Sequence, residues 1–192
     1  MSDERAAGVL AAIQEEFAPY GLNVSVPWIR DWQRPAFSQQ GITRDVARRP
    51  LEAPCDRVLA FVGRNVRDFL WGTVMPEILG AVELRTRTKG FVVVEMGSLN
   101  QLLTFSSPSD NAVHEFYHML GCDHWEGRER VQAHIVELKR AAQDNRARGE
   151  DFFPGLASSG RLYLTRAAVD RRFGLTAQAP APATTTGLAR KD

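Results

Sequence analysis

Apolar residues recur at helical spacing from the start of the chain. Ala6, Leu10, Ile13 and Phe17 fall on one face, which predicts a helix over 3–17, stopped by Pro19 and Gly21. Leu22, Val24 and Val26 then alternate with polar residues, the pattern of a strand over 22–29. Residues 30–54 are rich in Arg, Gln and Pro and read as a long surface connection. Arg57–Val62 is a short continuous apolar run, as expected of a buried strand. Two further strands follow over Leu79–Thr86 and Phe91–Met96, with Lys89–Gly90 as the bend between them. The second is β-branched and apolar enough to be central.

The second half of the chain reads as helical. Ser107 suits an N-cap, Pro108 the first helical position, and Asp110 the positive end of the helix dipole. This helix is expected to run to about Leu120, where Gly121 stops it. A long polar helix over 127–148 carries Val131, Ile135, Leu138 and Ala142 as its apolar stripe. A last helix spans about 166–173, capped by Thr165 and closed by Gly174. Strands with helices before and after them define an α+β domain with an α/β-type N-terminal part, over residues 1–174. Residues 175–192 are small, proline-containing and almost without core formers, so they read as a disordered tail.

Composition narrows the function classes. Lys and Arg total 24 against 23 Asp and Glu, a net charge of +1, so no basic excess points to a nucleic-acid partner. Two cysteines exclude a disulfide-rich scaffold. No stretch has the length of apolar sequence that a membrane span needs. The first residues carry no basic leader and apolar run, so the default expectation is a cytoplasmic protein, or a secreted one whose leader has been removed. A monomer is expected. The four histidines all lie between His114 and His134, and that clustering changes the picture.

Residues 114–124 read His-Glu-Phe-Tyr-His-Met-Leu-Gly-Cys-Asp-His. His114 and His118, four apart, project from one helix face and can bind one Zn²⁺ ion. Gly121 is free to take a positive φ, which lets the chain turn back and bring His124 round as a third ligand. Three protein ligands leave one position open, the layout of a catalytic zinc. Glu115 lies beside the first ligand without being one, which suits a general base that takes a proton from water and passes it to a leaving amine. The reaction class is metal-assisted hydrolysis of an amide.

These residues resemble the metzincin clan of zinc endopeptidases, whose H-E-x-x-H-x-x-G-x-x-H signature is matched at His114, Glu115, His118, Gly121 and His124. The resemblance implies a twisted mixed sheet, an active-site helix and a small, mainly helical C-terminal subdomain. It also implies one catalytic zinc, and a peptide or protein substrate added as an extended strand along the edge strand at Leu79–Thr86. One departure stands out. Metzincins carry a methionine in a tight turn beneath the zinc, and here Met occurs only at 1, 75, 96 and 119, none after the motif. Phe153, in Asp151–Gly155, is the expected substitute as an apolar floor, and Gly155 falls where some members have a tyrosine ligand. Rival readings are a catalytically inactive zinc-binding or peptide-binding module of this type, and a zinc amidase acting on cell-wall peptides.

Lesser features take plainer readings. Cys55 reads as a small buried hydrophobe. Cys122 could serve a second metal, but no further cysteine follows it to complete a thiolate site, and a Cys55–Cys122 disulfide is unconstrained by the sequence. His134, beside Val131, Ile135 and Leu138, reads as a packed histidine satisfied by one hydrogen bond. Arg85 and Arg87 read as the solvated edge of a strand. Trp125, just after the third histidine, reads equally as a cleft wall or as a packed residue.

Overall fold

The protein is described here by a computed structural model covering residues 3–34, 38–63, 78–95, 107–124 and 126–175. It combines helices and strands. In chain order they are α1 (Asp3–Phe17), α2 (Gln39–Ala47), β1 (Val58–Val62), β2 (Gly80–Val82), β3 (Lys89–Val93), α3 (Pro108–Met119), α4 (Arg128–Ala147), β4 (Gly155–Leu156), β5 (Leu162–Tyr163) and α5 (Arg166–Arg172). A single 3-10 turn, Ala18–Tyr20, follows α1.

Strand β3 is the middle of a three-stranded sheet. It runs parallel to β1, with Val58 opposite Lys89 and Val62 opposite Val93. It runs antiparallel to β2, with Gly80 opposite Val92 and Val82 opposite Gly90. Its side chains alternate between two cores, because successive strand residues point to opposite faces. Val92 and Val94 join Val9, Ile13 and Phe17 of α1, Ala112 and Leu120 of the α3 segment, and Ile135 and Leu138 of α4. Phe91 and Val93 instead meet Ile42 and Val46 of α2. The sheet is therefore covered on both faces, which explains why its apolar run lacks polar alternation. A third cluster, Leu51, Phe152, Ala157, Tyr163 and Val169, ties β5 and α5 to the chain before β1.

Several expectations change. Residues 22–29 form no strand: Val24 N–H donates to the Gln14 side chain at 2.6 Å, and Val26 and Ile29 are exposed. The connection over 30–54 contains α2. Ser38 caps it, accepting from Gly41 N–H at 3.2 Å, and Ile42, Val46 and Ala47 supply its buried face. Strand β2 is only three residues long, and the bend lies upstream of Lys89–Gly90. The Glu83 carboxylate accepts the N–H groups of Arg85, Thr86 and Thr88 at 2.8, 3.0 and 3.0 Å, and also the Thr86 hydroxyl proton. The turn is built on that carboxylate, with Arg87 at φ 53°. Lys89 belongs to β3 and is buried, its Nζ donating to the carbonyls of Ala47 and Arg49 at 3.0 and 2.5 Å. Burial lowers its pKa, against the opposing pull of Asp170. Strand Phe91–Met96 begins two residues earlier than expected and ends at Val93. Residues 64–77, Trp125 and the tail over 176–192 lie outside the described residues. No helix among the described residues is long and apolar enough to cross a membrane.

Candidate metal centre

The local sequence of α3 fixes both of its ends. At the start, Ser107 and Asp110 form a reciprocal capping box: Asp110 N–H donates to Ser107 Oγ at 3.1 Å, and Ser107 N–H donates to the Asp110 carboxylate at 2.9 Å. Those bonds hold the Asp110 carboxyl below its ordinary pKa. At the finish, Gly121 N–H donates to His118 O and Cys122 N–H to Tyr117 O, both at 3.1 Å. This is the Schellman arrangement, which needs a left-handed residue after the cap. Gly121 supplies it at φ 96°. A side chain there would also collide with Leu156 of β4, whose Cδ2 lies 2.5 Å from where a Cβ would sit.

The turn brings three imidazoles together. The ring centroids of His114 and His118 are 4.6 Å apart, those of His114 and His124 5.0 Å, and those of His118 and His124 4.5 Å. His114 Nε2 and His118 Nε2 approach to 3.1 Å, and one ring nitrogen from each of the three histidines lies within 4.8 Å of the others. His118 Nδ1 is 2.7 Å from the Cys122 carbonyl oxygen. The carbonyl can only accept, so Nδ1 carries the proton and Nε2 presents its lone pair to the cluster. Burial lowers the pKa of His114 and His118, reinforced by the neighbouring imidazoles. Three imidazole nitrogens this close together fit a divalent transition-metal ion. All three predicted ligands are thus assembled.

Glu115 faces away from solvent. It is 6% exposed, its Oε2 has no hydrogen-bond partner, and desolvation pushes its pKa up to about 7. Its side chain occupies the space over Gly80 on β2: a Cβ on Gly80 would lie 2.5 Å from Glu115 Cγ. The glycine is what admits the carboxylate between helix and strand.

One further residue shapes the centre. Arg87, read from the sequence as a solvated edge residue, is 1% exposed. Its guanidinium donates to the Cys122 carbonyl at 3.1 Å and to Asp123 Oδ1 at 2.6 Å. It therefore grips the two residues just before His124 and shares the carbonyl that orients His118. Charge at an edge position gave no signal for this, because the clamp depends on the left-handed turn that swings Arg87 inward. Phe153 is half-buried against the main core, with the Arg57 guanidinium carbon 5.6 Å from its ring centroid. The residue seated against the Gly121 turn is Leu156. Cys55 and Cys122 are free thiols, and burial raises the pKa of both, Cys122 to about 12. His134 is not satisfied by a hydrogen bond: its Nδ1 is buried without one. Comparison of the chain with family models, curated proteins and solved structures gives no match.

Proposed function

We propose that this chain is a zinc-dependent endopeptidase of metzincin type, with His114, His118 and His124 as ligands to one zinc ion and Glu115 as general base. The observation that carries the reading is the convergence of three imidazoles at the end of one helix, next to a buried carboxylate with a free oxygen. Zinc held by three imidazoles supplies a Lewis acid for a carbonyl and acidifies water at its open position.

The chain's own groups do the rest. Glu115, whose charged form is disfavoured by burial, takes the proton of the attacking water and returns it to the leaving amine nitrogen. The Cys122 carbonyl holds the His118 ring in the tautomer that leaves Nε2 free. Arg87 holds that carbonyl. Among the described residues, β2 is one of the two outer strands of the sheet, the one over Glu115. An extended peptide is proposed to add there, its main chain pairing with the strand above Glu115.

Digestion of a complex peptide mixture by the zinc-loaded protein tests the reading. Cleavage is expected, abolished by a chelator and restored by zinc. A protein that holds zinc at these histidines and cleaves nothing would instead be a binding module. Cleavage confined to cell-wall peptides would make it an amidase of that class.

A further inference from the structure

A second cluster of metal-binding side chains lies just beyond the first. Cys122, Glu126 and His134 each offer a ligand atom, the three atoms lying within 4.8 Å of one another. Cys122 is on the turn after α3, and Glu126 precedes α4. His134 sits within α4, two turns from its start. The cluster is secluded: Cys122 is 3% exposed and the Glu126 side chain 6%.

Its hydrogen bonding is incomplete. Glu126 Oε1 forms an ion pair with Arg130 Nε at 3.0 Å, but Oε2 and His134 Nδ1 are both buried without a hydrogen bond, 3.5 Å from each other. A buried carboxylate oxygen and a buried imidazole nitrogen left this way cost free energy, and a cation between them removes the cost. A thiol, a carboxylate and an imidazole also make a donor set of mixed softness, which suits zinc and excludes magnesium and calcium.

We propose that Cys122, Glu126 and His134 form a second metal site, structural in role, that binds zinc through three protein donors and one solvent molecule. On binding, the metal displaces the Cys122 thiol proton to solvent and forms a metal–sulfur bond. Glu126 Oε2 and His134 Nδ1 bind through existing lone pairs. The ion would fasten the turn carrying His124 to α4. The site does not depend on the peptidase reading, since it shares no ligand with the histidine triad.

The test is metal content and cobalt spectroscopy on the full chain. Two zinc ions per chain are expected in the parent and one in His134→Gln. One is also expected in the His114→Gln/His118→Gln double variant. Cobalt loading should give a thiolate-to-metal charge-transfer band that is lost in Cys122→Ser and kept in Cys55→Ser. Circular dichroism checks that each variant is folded, and His134→Gln, away from the core cysteine, carries the test if Cys122→Ser does not fold. A parent with one zinc, lost in the double variant and untouched by His134→Gln, overturns the proposal and leaves the histidine triad standing. A single zinc lost only with His134→Gln supports this site and removes the metal from the triad. Absence of the cobalt band from the parent also overturns the proposal.

Discussion

In its proposed role as general base, Glu115 carries two demands that conflict: it must be dry enough to be basic and must still tolerate charge. Its pKa of about 7, against an ordinary 4.5, is the result of desolvation alone. The consequence for the metal-free protein follows from linkage. Below the ordinary value the carboxyl is protonated whether folded or not and costs nothing. Between the two values the folded protein keeps a proton that the unfolded chain releases, so this group's contribution to stability falls as pH rises. Metal-free Glu115→Gln should therefore be more stable than the parent near about pH 8, by up to about 3 kcal/mol, with no advantage near about pH 4. Thermal melts of both proteins across that range measure it, and a pH-independent difference would contradict the desolvated placement. Arg87 makes the opposite demand, as a buried cation whose two terminal nitrogens donate to the Cys122 carbonyl and Asp123. Arg87→Met should lose about 1–3 kcal/mol of stability, because the Cys122 carbonyl loses a charged donor. It should also weaken metal binding about 10–100-fold through the loosened His118 and His124. Zinc titration separates this from a purely structural loss.

At the level of elements, the centre depends on how α3 stops. Gly121 combines a positive φ with a contact that no Cβ fits. Gly121→Ala should cost more than about 1 kcal/mol, and it should lower zinc content more than an alanine elsewhere, because the turn delivers His124. Denaturant unfolding and metal analysis on the same preparation check this. The ends of α3 and the start of α5 were legible in the sequence because caps are local chemistry: Ser107, Asp110, Gly121 and Thr165 act on neighbours within a turn. The full histidine triad was legible for the same reason. Elements that depend on distant partners were not. Leu22–Ile29 alternates correctly but finds no strand to pair with. Helix α2 hides three buried apolar residues among Arg and Gln, and its helical face makes sense only against Phe91 and Val93. The turn before β3 was misplaced because its organiser, Glu83, is a charged residue inside what reads as a strand.

Across the whole molecule, β3 links everything that matters for the centre. One of its faces packs on α1, α3 and α4 and the other on α2, so the helix bearing His114, Glu115 and His118 rests on a sheet that is itself held from behind. The turn leading into β3 supplies Arg87, and β2 supplies the gap at Gly80 for the buried carboxylate. Fixed elements on three sides give preorganised donors, and hydrolysis by this route needs that more than it needs any one strong contact. The central claim is that Glu115 acts on the proton while the histidines hold the metal. Turnover of a cleaved peptide by zinc-loaded parent and zinc-loaded Glu115→Gln, with zinc content measured on both, tests it most directly. Equal zinc and a loss of roughly 10²–10⁴-fold in kcat/KM are expected for the variant. Equal zinc with undiminished turnover would contradict it.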